Sequence, residues 1–237
     1  SLLIYIIHEN IILMSLVERI LPYERNLFLW LNDQHTSYWD VFMWIYSGKL
    51  VWLPLAIVAI GVFVYKIKWK EALLLLLCAV LVGVLCDYVS SSLIKPFFER
   101  LRPTHHPDFQ NYVDTVRNYR GGKYGFISNH AANGFGIVAF ISLLFRYKYY
   151  TITVLLWACI TGYSRIYLGV HFVSDVVGGA IWGALVGISM YYVYLTSRRY
   201  ILKVPKDELK IPVYTKVRAQ ILMCTIWVLV ISIAIYS

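Results

Sequence analysis

Long apolar runs separated by short polar connections dominate the chain, covering residues 50–66, 72–94, 132–146, 149–167, 176–196 and 217–236. Crossing the hydrocarbon core of a bilayer takes about 20 mostly apolar residues per helix. In lipid each backbone polar group must be satisfied within the structure, which favours helices for runs of this kind. The third run is short, so its helix is expected to begin near residue 128. Ahead of the first run, residues 15–32 mix Leu and Phe with Glu18, Arg19, Glu24 and Arg25. That pattern suits a helix lying in the membrane interface, within an interfacial segment over 15–45. The expected fold is all-α, a polytopic membrane helix bundle of about six transmembrane helices over 50–236, forming one domain over 1–237. No internal repeat or low-complexity tract is evident.

Composition supports this reading, with 59% hydrophobic and 15% charged residues against about 45–50% and about 25% in soluble domains. A formal net charge of +9 in a soluble protein would raise nucleic acid as a partner. Here the basic residues sit beside lipid headgroups and set orientation. Lys66, Lys68 and Lys70 follow the first run, Arg146 and Lys148 the third, and Arg198, Arg199, Lys203, Lys206, Lys210, Lys216 and Arg218 the fifth. The positive-inside rule makes those loops cytoplasmic and puts the N-terminal segment, loop 95–127 and loop 164–175 on the other face. Cys78, Cys86, Cys159 and Cys224 lie in apolar runs, where Cys behaves as a small hydrophobe, and no disulfide or zinc spacing appears. The N-terminus lacks a basic n-region and is interrupted by His8, Glu9 and Asn10, unlike a signal peptide. Met14 offers a start that would make residues 1–13 an extension.

Three polar clusters stand at the ends of runs on that second face. In Lys95-Pro96-Phe97-Phe98-Glu99-Arg100-Leu101-Arg102-Pro103 each proline discourages helical geometry at the cation before it. A span is therefore expected to end near Lys95; taken alone, the cluster reads as interfacial snorkelling of Lys and Arg. In Gly125-Phe126-Ile127-Ser128-Asn129-His130-Ala131-Ala132-Asn133, Ser128 reads as an N-cap, and amides at a helix start form a ready anion site. His130 would stand beside a bound phosphate, although a lone His at a helix start is more often structural. In the stretch from Ser164 to Asp175, His171 and Asp175 are four apart. If this stretch begins the fifth span they share a face, the pairing by which a carboxylate fixes the tautomer of a catalytic His. Arg165 is near enough in sequence to reach the same pocket. A buried polar pair is the plainer reading, yet ionisable residues at membrane depth are functional by default.

Lys-x6-Arg-Pro, then Ser-x-His ahead of a helix, then Ser-Arg-x5-His-x3-Asp resembles the type 2 phosphatidic acid phosphatase family of membrane lipid phosphatases, over roughly residues 45–200. The resemblance implies hydrolysis of a phosphate or diphosphate from a membrane lipid through a phosphohistidine, with no cofactor. It implies that His171 attacks phosphorus while Asp175 orients it, and that His130 is the general acid and then the base. Lys95, Arg102 and Arg165 resemble the family's phosphate clamp, with Ser128 and the Asn129 amide adding hydrogen bonds. Phosphoryl transfer asks for positioning and cations around the equatorial oxygens, and a His nucleophile splits one displacement into two. With basic side chains supplying charge, no metal is required. The family usually has Pro-Ser-Gly-His where this chain has Ile127-Ser128-Asn129-His130; Asn tolerates positive φ better than most residues, which would keep its amide on phosphate.

Other candidates carry less. His105 and His106 could be a metal site or substrate contacts but read better as a solvated loop, and Asp87 reads as structural support paired with a polar neighbour or cation. Tyr and Trp, 20 and 8 in number, fit interface belts. A transporter should show inverted repeats or helices broken at mid-membrane, whereas the polar residues here gather at one face. A haloperoxidase shares this pocket in a soluble relative of the family, and six spans argue against it. A noncatalytic lipid-binding protein would have little use for His130, His171 and Asp175 together. The expected setting is a bacterial inner membrane with the site on the periplasmic face. The expected partners are the bilayer and a lipid phosphate, with no nucleic acid and no obligate protein. Undecaprenyl diphosphate and lipid A phosphate rank nearly level as substrates, with phosphatidylglycerophosphate or phosphatidic acid as alternatives.

Overall fold

The computed structural model describes residues 17–237, and all of its named elements are helical. The extension expected at residues 1–13, Met14 and the start of the interfacial segment lie outside the described residues. In chain order the helices are α1 (Leu21–Asn32), α2 (Ser37–Tyr46), α3 (Leu53–Val64), α4 (Trp69–Tyr88), α5 (Asn129–Phe145), α6 (Lys148–Tyr167), α7 (Val173–Tyr200) and α8 (Lys216–Tyr236). Thr36 caps α2 by accepting the Trp39 N–H, so the N-terminal segment forms two helices instead of one. A bend of 66° separates α2 from Leu50–Val64.

Among the described residues three helices are long and apolar enough to cross a membrane: Trp69–Phe98, Val173–Tyr200 and Lys216–Tyr236. Counting the bent pair as one span makes four. α5 has 17 residues, about 25 Å at 1.5 Å per residue; α6 has 20, but Thr and Tyr interrupt its apolar character. Large apolar side chains such as Ile57, Leu77, Ile181 and Val228 stand exposed on the outside, the surface of a bundle solvated by lipid.

Lipid tails are as apolar as leucine, so membrane helices associate through close packing of small residues. The α5–α7 interface is built this way. A Cβ on Gly179, Gly183 or Gly187 would lie 2.5, 2.1 or 2.2 Å from the carbonyl oxygen of Ser128, Ala132 or Gly136, respectively. With the two backbones in contact, the starts of α5 and α7 lie side by side, and the Ser128 N–H donates to the Asp175 carbonyl at 2.9 Å. Around this pair the core gathers Leu75, Val82 and Cys86 of α4, Ala158 of α6 and Leu222 of α8.

The second span ends at Phe98, one turn beyond Lys95. Val89–Ile94 continues α4 in π-helical geometry, Lys95–Phe98 adds a further helical turn, and the chain leaves it at Glu99, which is left-handed (φ 46°). The wider turn ahead of Pro96 moves away the carbonyl its ring would strike in an α-helix and needs no N–H from it.

Candidate active site

One end of the bundle brings together the starts of α5 and α7, the end of α6 and the loop after α4. His171 sits in the turn before α7, only 2% exposed. Asp175, in the first turn of α7, accepts the Phe172 N–H through Oδ2 at 2.9 Å. The same oxygen lies 3.4 Å from His171 Nδ1. The expected pairing is made, but as helix cap to loop, because α7 begins at Val173. With Nδ1–H toward the carboxylate, the lone pair belongs to Nε2, and Arg102 Nη1 stands 3.0 Å from that atom. Burial holds the His171 pKa well below the ordinary histidine value, followed by the charges of Arg102, Arg165, Lys95 and His130. The free imidazole is therefore neutral and able to attack.

Each residue expected in the clamp is held by a different element. Arg102 has the extended backbone expected before Pro103 and donates to the carbonyls of Tyr124 at 3.1 Å and Val170 at 2.9 Å. Burial, then Arg165, lowers its pKa to about 10, which leaves it cationic near neutrality. Arg165 is 4% exposed and donates from Nη1 to Ser47 Oγ at 2.5 Å and from Nη2 to the Tyr119 hydroxyl at 3.4 Å. Lys95 donates to Asn129 Oδ1. Asn129 in turn donates to Asp87 Oδ1 at 2.7 Å and Ser91 Oγ at 2.5 Å. Asn129 is the first residue of α5, with a negative φ, so the positive φ considered for it is not used. Instead its side chain, which a glycine lacks, ties Lys95 to Asp87.

Ser128 is fully buried and caps α5 by accepting the Ala131 N–H at 3.5 Å. His130 lines a cavity of about 390 Å³ with Ser47, Lys49, Asp87, Asn129 and Thr161. Of the two loop histidines, His105 is partly exposed. His106 is buried, against expectation, because it packs on Phe109 and Phe172 with Nε2 3.5 Å from Glu18. Among the described residues no three His, Cys, Asp or Glu side chains form a group that could hold a metal ion.

Two residues joined to this site escaped the sequence reading. Arg100, 1% exposed, pairs through Nη1 with Asp175 Oδ1 at 2.9 Å and through Nη2 with Glu24 Oε1 at 2.6 Å. Glu24 also accepts the Ser174 N–H and hydroxyl, each at 2.7 Å. Expected on an interfacial surface, Glu24 lies instead on the buried face of α1 with Leu21, Phe28 and Asn32, since Arg100 offsets its charge. An acidic residue inside an otherwise apolar helical stripe was the available signal.

Residues 72–199 match the sequence profile of the PAP2 superfamily. The chain is 46% identical over 182 residues to a lipid A 4'-phosphatase of Porphyromonas gingivalis, with 77% of each protein covered. It is 34% identical over 186 residues to a lipid A 4'-phosphatase of Bacteroides thetaiotaomicron, covering 77% of this chain and 83% of that protein. The crystal structure of Aquifex aeolicus LpxE superposes with a TM-score of 0.55 at 26% identity, covering 72% of this chain and 95% of that one. Sequence and fold agree over more than half the chain: this protein belongs to the PAP2 superfamily.

Proposed function

We propose that this protein is a membrane phosphatase that hydrolyses a phosphomonoester of a lipid A type substrate through a phosphohistidine on His171. One observation carries the reading. The Nε2 lone pair of His171 points at Arg102, 3.0 Å away, while Asp175 stands behind Nδ1 at 3.4 Å. A phosphate held by Arg102, Arg165 and Lys95 would therefore lie in front of the nucleophile. Attack by Nε2 forms a P–N bond as the bond from phosphorus to the lipid oxygen breaks, and that oxygen takes a proton from His130, which enters the step protonated because the bound phosphate dianion offsets the surrounding cations. Asp175 offsets the positive charge on the phosphorylated imidazole. His130, now neutral, takes a proton from water as the water oxygen attacks phosphorus, the P–N bond breaks, and phosphate leaves with both histidines restored. The charge a metal would supply comes from the three cations.

The substrate class rests on two supports. The curated relatives with the highest identities above act on lipid A, and the cavity beside His130 shares Trp52, Ile137 and Trp157 with an apolar cavity of about 330 Å³ between the helices. A lipid with its phosphate on the three cations could pass its body along the first and a chain into the second. In this reading α3 to α8 are six spans of one domain in a bacterial inner membrane. α1 rests in the interface and the site faces the periplasm. Purified protein with excess chelator should release phosphate from lipid A faster than from undecaprenyl diphosphate or phosphatidylglycerophosphate. Rapid quenching should trap an acid-labile, base-stable adduct in wild type and none in His171→Ala. Loss of turnover in chelator, restored by Mg²⁺, would refute the mechanism, and a preference for another lipid would refute the substrate.

A further inference from the structure

We propose that Glu24, on the N-terminal helix, is a positioning residue for the chemical step, acting on His171 through Arg100 and Asp175; this rests on the reading of His171 as nucleophile. The two oxygens of Asp175 have separate tasks. Oδ1 takes Arg100 Nη1 at 2.9 Å, while Oδ2 takes the Phe172 N–H at 2.9 Å and faces His171 Nδ1. A guanidinium left alone with a carboxylate tends to grip both oxygens with its two prongs. Here the second prong is occupied, because Nη2 is held by Glu24 at 2.6 Å and the guanidinium lies 4.7 Å from the centroid of the Phe172 ring. Glu24 thereby keeps Arg100 to one oxygen of Asp175 and leaves the other for His171. Without that carboxylate the fork can close on Asp175, and the imidazole loses the partner that fixes its tautomer.

The charge count points the same way. The groups facing His171 are Lys95 beyond α4, Arg102 in the loop, His130 on α5, Arg165 at the end of α6 and Asp175 on α7, and of these only Asp175 is negative. Behind Asp175, Arg100 alone would cancel its charge. Glu24 restores one net negative charge to the buried trio, where low polarity lets it be felt.

Docking of α1 does not depend on this carboxylate. Phe28 packs on Phe109 and Phe172, and Asn32 donates to the carbonyls of Asp114 at 3.1 Å and Tyr167 at 2.9 Å. Glu24→Gln keeps the shape and one acceptor oxygen while removing the charge. In the full-length protein with lipid substrate, Glu24→Gln should lower kcat about tenfold at nearly constant KM. The acidic limb of its kcat/KM profile should move to lower pH, because losing a negative charge favours the neutral imidazole. Glu24→Asp keeps the charge and should hold the limb near wild type. Leu21→Ala, which loosens α1 without touching the carboxylate, should lower the unfolding temperature and leave the limb in place. The proposal is overturned if Glu24→Gln leaves the limb unmoved, or if Leu21→Ala moves it equally. His171→Gln separates the two layers: an adduct still formed there would sink the nucleophile assignment itself, whereas no adduct there together with an unmoved limb in Glu24→Gln would sink only the role of Glu24.

Discussion

At the scale of single residues, the proposed clamp rests on fixed geometry. Arg165 spends its two terminal nitrogens on Ser47 and Tyr119, so its plane is set before any anion arrives. Arg165→Lys replaces a planar fork with a point charge and should cost about 100-fold in kcat/KM, the scale seen when one donor to a developing oxyanion is removed. Near wild-type turnover would place Arg165 outside the clamp, and Lys66→Ala, in the connection after α3, should be silent. Lys95, Arg102, Ser128, Asn129, His130, Arg165, His171 and Asp175 could be proposed from the sequence because they fall in short local spacings beside apolar runs. Glu24 and Arg100 could not, because their pairing joins positions 76 apart and no local pattern encodes it. Asn129 was read for its backbone, whereas its side chain does the bridging.

At the scale of elements, long apolar runs located α3 to α8, and Ser128 placed the start of α5 where the capping argument put it. The continuation through Pro96 was invisible, since a π-helical turn leaves no apolar signature, and the bend between α2 and α3 falls at a break that apolar counting cannot orient. The α5–α7 contact gives a sharp prediction. Gly183→Ala puts a methyl where a carbonyl oxygen stands 2.1 Å away, so the helices must part, at about 1–3 kcal/mol or more for overpacking. Thermal unfolding in detergent should fall by several degrees and kcat should drop with it, because the same contact aligns Ser128 with Asp175. Gly61→Ala, where an added Cβ meets nothing within 4 Å, is the control. Equal effects at both positions would mean that this contact does not hold the site.

At the scale of the whole molecule, the proposed topology puts catalysis on the face opposite the basic loops. Three connections carry twelve Lys and Arg residues, the asymmetry that keeps loops in the cytoplasm. Cysteines placed at Asp108 and Lys206, both exposed, should label oppositely with an impermeant reagent in intact cells, Asp108 reacting and Lys206 protected; the reverse would invert the topology. The cavity beside His130 shares Trp52, Ile137 and Trp157 with the apolar cavity between the helices, and a lipid that uses both, as proposed, changes what concentration means for the enzyme. A substrate that arrives sideways from the leaflet is counted per unit area, not per litre, and its dephosphorylated product returns to the same two-dimensional pool. Diluting the lipid into detergent micelles then alters the encounter rate even when the bulk amount is constant. A Michaelis constant for this protein is therefore a surface mole fraction, set by the membrane as much as by the pocket.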